Sequence, residues 1–287
     1  MAHFIPVKFT GRTYPSGITS HIDEVAAHFA KDSIKTTTPF SLHTEYSAGI
    51  RKPSSLTQRF PIICDSYERG IPLLWTSEAW AAEFASFVRE LCKGVPPTVL
   101  EIHPPYKTNS DWQQFFQRFA VFEAQFRQWA PETRIVLENR TGNMLGKQFL
   151  FSTYKSFITF SDLLDNTESD LRIAFDVPQI LTAHHLLEEP GRIVPLLEHL
   201  KAIRHNIQSI HIWGCNPKAH WGDINTMFNG DQDIKRMYLT SLYELLDDGI
   251  PRYLVPEVLS SQADFVSIIT DLLDIGFTFA DTSAFSY

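Results

Sequence analysis

From about residue 95 to the end of the chain, short aliphatic runs alternate with longer stretches of helical period, and no other feature of the sequence restricts the fold so much. The runs are residues 98–103 ("TVLEIH"), 134–138 ("RIVLE"), 171–176 ("LRIAFD"), 208–213 ("QSIHIW") and 253–257 ("YLVPE"). Between them lie stretches such as "SDWQQFFQRFAVFEAQFRQWA" and "GRIVPLLEHLKAIRHN", whose apolar residues recur at three and four positions, the spacing of one helix face. Upstream, "TPFSLHT" ending near His43 reads as another strand and "HFIPVKF" from His3 as a weaker one. Downstream, "SQADFVSIITDLLDIG" reads as a helix and "FTFA" as a short final strand. Strands alternating with helices in this way are the signature of parallel βα units. No GxGxxG or GxxxxGK accompanies them, so the pattern predicts a (β/α) TIM-type barrel, normally about 250 residues, rather than an open sheet with a phosphate loop. Before His43 there is room for one βα unit, and residues 47–76 have no clear period. The N-terminal third is therefore expected to be irregular, or the barrel to be closed by the "FTFA" strand.

With 44% hydrophobic residues in 287, the chain can bury a large core. No repeat, Gly/Ser linker or long charge run divides it, so one domain is expected over residues 1–287. No apolar run reaches the roughly 20 residues that cross a bilayer, and the opening "MAHFIPVKFTGR" has no apolar signal core. A cytoplasmic protein with no membrane partner is the expectation. Cys64, Cys92 and Cys215 are odd in number, widely spaced and outside any CxxC pattern, which suits a reducing compartment and points away from a thiolate zinc site. The net charge of −8 argues against broad nucleic-acid binding, though a locally basic cleft remains compatible with it.

Strand after strand finishes in a residue able to bind a metal: His43, His103, Glu138, Asp176, His211 and Glu257. Barrel strands are dominated by Val, Ile and Leu, so polar groups at their last positions mark the C-terminal rim, where barrel active sites are built. Pro104 and Pro105 stop one strand just after His103 reaches that rim. Singly, each such residue has an ordinary structural explanation, such as a helix cap or a solvated loop group. Together, three carboxylates and three imidazoles at one barrel mouth are costly to bury unless metal ions offset their charge. His184, His185, His199 and His205 read as helix-surface or packing residues. His21 and His28, seven apart in "SHIDEVAAHFA", read as a solvated helix face.

The motifs "LHTEY", "IHPP", "VLENRTG", "FDVPQ", "IHIWG" and "VPEV", in this order from about residue 40 to 260, resemble the xylose isomerase-like TIM barrels. That group includes endonuclease IV and the sugar isomerases and epimerases. For an endonuclease IV-like enzyme the resemblance implies two ions bridged by Glu138. His43, His103 and Glu138 would hold one, and Glu138, Asp176, His211 and Glu257 the other. The group's third zinc site needs a histidine where this chain has Gln179, and an Asp-x-His where it has Lys218 to His220. Only His220 survives there, with Asp223 as a candidate substitute. For a sugar isomerase or epimerase the resemblance implies one manganese, magnesium or cobalt ion on Glu138, Asp176, His211 and Glu257, with Glu138 and Glu257 as the acid/base pair.

Two ions about 3.5 to 4 Å apart suit hydrolysis of a phosphate ester, since one activates water and the other stabilises the departing oxygen. The nitrogen and oxygen donors admit zinc, manganese or iron, one or two per chain. Arg51, Lys52, Lys107, Arg140 and Lys218 follow the strand ends and would favour a phosphate-bearing substrate, although surface loops are commonly charged. Tyr46, Tyr106, Trp213 and Trp221 lie near the candidate ligands. They would stack on a base or sugar ring, or simply fill the barrel mouth. The expected substrate is thus a phosphate ester or a sugar, bound through Tyr46, Lys107, Arg140, Trp213 and Lys218. Nucleic acid is permitted but is not supported by the net charge.

Overall fold

The computed structural model describes residues 1–36, 39–215 and 221–280. Eight parallel strands follow one another round a closed barrel: β1 (His3–Lys8), β2 (Ile22–Ala26), β3 (Phe40–His43), β4 (Val99–Ile102), β5 (Arg134–Glu138), β6 (Arg172–Asp176), β7 (Ile207–Ile212) and β8 (Pro251–Pro256). Closure is made by β8 against β1, where His3 lies beside Pro251 and Pro6 beside Leu254. The "FTFA" segment does not close the barrel. It forms β9 (Thr278–Phe279), parallel to His3 and Phe4 on the edge of β1 that β2 takes over at Val7 and Lys8. Amides of Thr278 and Ala280 donate to the carbonyls of Ala2 and Phe4, filling a seam that β2 is too short to cover.

The N-terminal third is irregular, as expected. Among the described residues no helix lies between β1 and β2 or between β2 and β3. The "SHIDEVAAHFA" segment is strand β2 and its exit, and not a solvated helix face: Ile22 and Glu24 point into the barrel, and alternation of period two replaces the helical reading. Helices α1 (Pro61–Asp65) and α2 (Glu78–Leu91) follow β3, and α3 (Trp112–Phe126) and α4 (Tyr154–Asp165) follow β4 and β5. Then α5 (Val177–Ala183) and α6 (Ile193–Leu200) follow β6, α7 (Gln232–Leu246) follows β7, and α8 (Gln262–Ile275) follows β8.

Local chemistry explains these elements. Asp111 accepts from the Gln114 amide while the Gln114 side chain accepts from Asp111, a capping box that starts α3. Phe115, Phe119, Phe122 and Phe126 then recur at four, three and four, and all are buried against the barrel wall. Ser261 caps α8 by accepting from the Asp264 amide, and Gly276 ends it at a φ of 113°, a conformation that only glycine enters freely.

Along each strand, one set of side chains faces the helices and the other the barrel axis. Leu42, Leu100, Ile102, Ile135, Leu137, Phe175, Ile210 and Leu254 join the large outer core. Low in the barrel, Val99, Val136 and Ala174 fill the axis together with Tyr253. Above them the axis-facing set turns polar, and that change positions the site.

Candidate metal centre

His43, His103, Glu138, Asp176, His211 and Glu257 share the axis-facing parity, and the structure brings all six to the upper end of the barrel. His103 Nε2 lies 2.7 Å from Glu138 Oε2, and His43 Nε2 lies 3.0 Å from His103 Nε2 and 3.5 Å from the same oxygen. Glu138, Asp176 and His211 form a second group with one ligating atom each within 4.8 Å of one another. Glu257 stands between the groups, its Oε1 3.3 Å from His211 Nδ1 and 3.6 Å from His43 Nδ1.

Two ligand-type residues were missed in the sequence, Glu24 on β2 and Glu101 on β4. Glu24 Oε1 is 3.1 Å from His43 Nδ1, while Glu101 is fully buried with Oε1 3.3 Å from that nitrogen. The other Glu101 oxygen lies 2.7 Å from His211 Nε2. Strand parity offered the signal for Glu101, which stands two residues before His103 and so faces the same way. Glu24 was hidden by the helical reading of β2.

The electrostatics are those of a cation-binding cavity. His103 is buried, and burial pushes its imidazole down to about 4 against the pull of Glu138. Its Nδ1 faces the Glu45 carbonyl at 3.1 Å, an acceptor only, so the proton sits there and the Nε2 lone pair looks into the site. Burial opposes a charge on His43 too, but Glu101, Glu24 and Glu138 raise it to about 10. An ion bound at Nε2 would displace the proton that the charged imidazole carries there. Burial alone would raise Glu138, yet His103, Arg140 and His43 hold it well below the usual carboxylate range. Asp176 goes the other way, driven up by burial and by the charges of Glu138 and Glu257. Burial pushes Glu101 up to about 8.

The donor set fits divalent cations. Glu24, Glu101, Glu138, Asp176 and Glu257 are all buried around Arg140 and three imidazoles, and the upward shifts of Asp176 and Glu101 show that these protein groups alone do not let all five carboxyls ionise. Both oxygens of Glu101, Oε2 of Glu24 and both nitrogens of His211 lack a partner in hydrogen-bond geometry, although the Glu101–His211 approach is close. Buried polar atoms left in this way are the mark of a missing counter-ion or ligand. No cysteine belongs to the groups, leaving oxygen and imidazole nitrogen as donors.

The remaining expected residues separate clearly. Gln179 joins the centre: its side-chain oxygen accepts from the Thr141 amide, and its NH2 group donates to Glu138 Oε1 at 2.5 Å and Asp176 Oδ2 at 2.7 Å. Arg140 donates to Glu138 Oε1 at 3.1 Å, and the Trp213 indole donates to Asp176 Oδ2 at 3.2 Å. Tyr46 lies under two guanidinium groups, with Arg140 4.8 Å and Arg51 5.1 Å from its ring centre. Tyr46, Arg140, Gln179 and Trp213, with Arg51 and Trp221, line a cavity of about 690 Å³ that opens above His43 and Glu257. Lys107 does not line it: the side chain is exposed and reaches Gln148 at 3.4 Å, because the loop after Tyr106 turns outward. Lys52 is exposed and is likewise absent from the lining. Tyr106 is buried, stacked on Phe149 with its hydroxyl on the Ser47 carbonyl, so it fills the barrel mouth. Asp223 caps the turn Ile224–Thr226 by accepting from the Asn225 amide and joins none of the metal groups. Lys218 and His220 lie outside the described residues.

Fold and site together define a class: a (β/α)8 barrel with a buried histidine–carboxylate centre able to hold a metal ion. No family model and no curated protein matches the chain. Among solved structures, the crystal structure of AsfvAP:AG is similar over 87% of this chain and 98% of that one, at 14% identity and a TM-score of 0.50. Endonuclease IV from Thermus thermophilus aligns over 88% of this chain and 98% of that one, at 12% identity and a TM-score of 0.48. Mannonate dehydratase from Streptococcus suis aligns over 87% and 92%, at 10% identity and 0.45. At such identities the likeness to AsfvAP:AG establishes the barrel fold. It agrees at that level with the xylose isomerase-like resemblance of the strand-end motifs.

Proposed function

We propose that this chain is a divalent-metal-dependent enzyme that hydrolyses a phosphate ester, with Glu138 shared between two ions. The observation that carries this reading is the convergence of His43 Nε2 and His103 Nε2 on Glu138 Oε2 within 3.5 Å. A mononuclear sugar isomerase has no need of those two histidines. His43, His103 and Glu138 would hold the first ion, and Glu138, Asp176, His211 and Glu257 the second. The ions, zinc, manganese or iron, would supply a water acidic enough to react near neutral pH and positive charge for the departing oxygen.

The chain's own groups complete the site. Arg140 is nearly buried and reaches the cavity beside Glu138, which suits it to take a phosphate oxygen. Tyr46, Trp213 and Trp221 supply flat apolar walls for the rest of the substrate. A cavity of about 690 Å³ is of the size that encloses one small molecule, and this favours a small phosphate ester over a duplex.

Elemental analysis of the purified chain, with and without His103→Ala, tests the reading. Two equivalents are expected in the wild type and one in the variant, with hydrolysis of an activated phosphodiester falling to the buffer rate. An unchanged hydrolytic rate in His103→Ala would sink the proposal. A single ion indifferent to that change, with ketose–aldose activity lost in Glu257→Gln, would establish the isomerase instead.

A further inference from the structure

Glu101 is fully buried on β4, one layer below the rim, and neither of its oxygens is satisfied by a hydrogen bond of good geometry. Oε1 lies 3.3 Å from His43 Nδ1 and Oε2 lies 2.7 Å from His211 Nε2. Register places it there: β3 and β4 set His43 directly beside Glu101, and the barrel axis brings β7 across to the other oxygen. One carboxylate thus faces two histidines, and these belong to different proposed ion sites.

An imidazole that binds a cation through one nitrogen keeps its proton on the other, and a carboxylate at that other nitrogen fixes both tautomer and ring orientation. For His43, Nε2 looks towards His103 and Glu138, leaving Nδ1 to donate downward. For His211, Nδ1 looks towards Glu257, leaving Nε2 to donate downward. Glu24 shares the His43 contact at 3.1 Å, but at His211 Nε2 the carboxylate within reach is Glu101.

We infer that Glu101 is a positioning residue that links the two ion sites, its two oxygens accepting from His43 Nδ1 and His211 Nε2 when ions hold the opposite ring nitrogens. The inference rests on the dinuclear reading above. Glu24, by contrast, serves the His43 site alone.

Calorimetric titration of the chelator-treated full chain with Mn²⁺ and, separately, Zn²⁺ tests this. Glu101→Gln preserves shape and replaces one acceptor oxygen by an NH2 donor. It is expected to weaken both binding steps by about 10- to 100-fold, the usual effect of losing a partner of a ligand. Glu24→Gln is expected to weaken one step only. The melting temperature of metal-free Glu101→Gln should stay close to wild type, because the amide keeps the shape of the carboxyl in the buried layer. Two equivalents bound by the wild type with unchanged affinities in Glu101→Gln would overturn the role of Glu101 and leave the dinuclear reading standing. A lower metal-free melting temperature or loss of folding in Glu101→Gln would make the residue structural. One equivalent or none in the wild type would overturn both.

Discussion

The residues around the centre differ most in what burial does to their charge. His28 sits at the exit of β2, with Nδ1 3.7 Å from Glu45 Oε1 and no hydrogen bond. Glu45 is already paired with Arg51 at 3.1 Å, so burial, and then the Arg51 charge, push His28 down to about 3. In the unfolded chain the imidazole takes a proton at its ordinary value of 6.5, and in the folded chain only near 3. Between those values the unfolded state binds the extra proton, so stability falls as pH falls through this window. Urea midpoints measured from pH 7 to pH 3 should fall less steeply in His28→Gln than in the wild type. Parallel curves would show that His28 titrates normally.

At the level of elements, the helices act on the site through the strand ends. Trp75, fully buried among Trp80, Phe84, Phe115 and Phe122, donates its indole N–H to the His103 carbonyl at 2.7 Å. The Arg118 guanidinium of α3 in turn holds the Trp75 carbonyl. The aromatic layer between α2 and α3 therefore fixes the backbone on which His103 stands. Trp75→Phe keeps most of the packing and strands that carbonyl, so a loss of about 1–3 kcal/mol is expected in urea unfolding. In Phe122→Ala, which opens a cavity in the same layer, the loss should be about 3–5 kcal/mol. Gly214 plays a comparable part after β7. It exchanges backbone hydrogen bonds with Gly222, and an added Cβ would meet the Asp223 carbonyl at 1.9 Å. Gly214→Ala should displace the segment bearing Trp221 and weaken binding in the cavity, as read by tryptophan fluorescence.

For the whole molecule, the cluster of carboxylates on the barrel axis makes stability depend on what neutralises it. An ion that binds the folded chain alone stabilises it by mass action, about 2.7 kcal/mol at one hundred times its dissociation constant. Chelation should therefore lower the melting temperature in scanning calorimetry, and Mn²⁺ or Zn²⁺ should restore it. A melting temperature indifferent to both would remove the centre as a metal site. Among the described residues no helix is long and apolar enough to cross a membrane.

The barrel was legible in the sequence from β4 onward because its parallel strands, covered by helices, leave uninterrupted aliphatic runs between helical periods. The six rim residues were legible because a strand that ends in His or a carboxylate departs from the Val, Ile and Leu around it. Only the tertiary structure decided what depends on neighbours across the barrel. It showed β2 as a strand where the local pattern looked helical, β9 beside β1, Glu24 and Glu101 beneath the rim, and Lys107 turned away. A single chain segment carries its own periodicity, but register and strand tilt choose which side chains meet at the axis. For that reason His43 and His211 could be read one at a time, whereas the carboxylate between them could not.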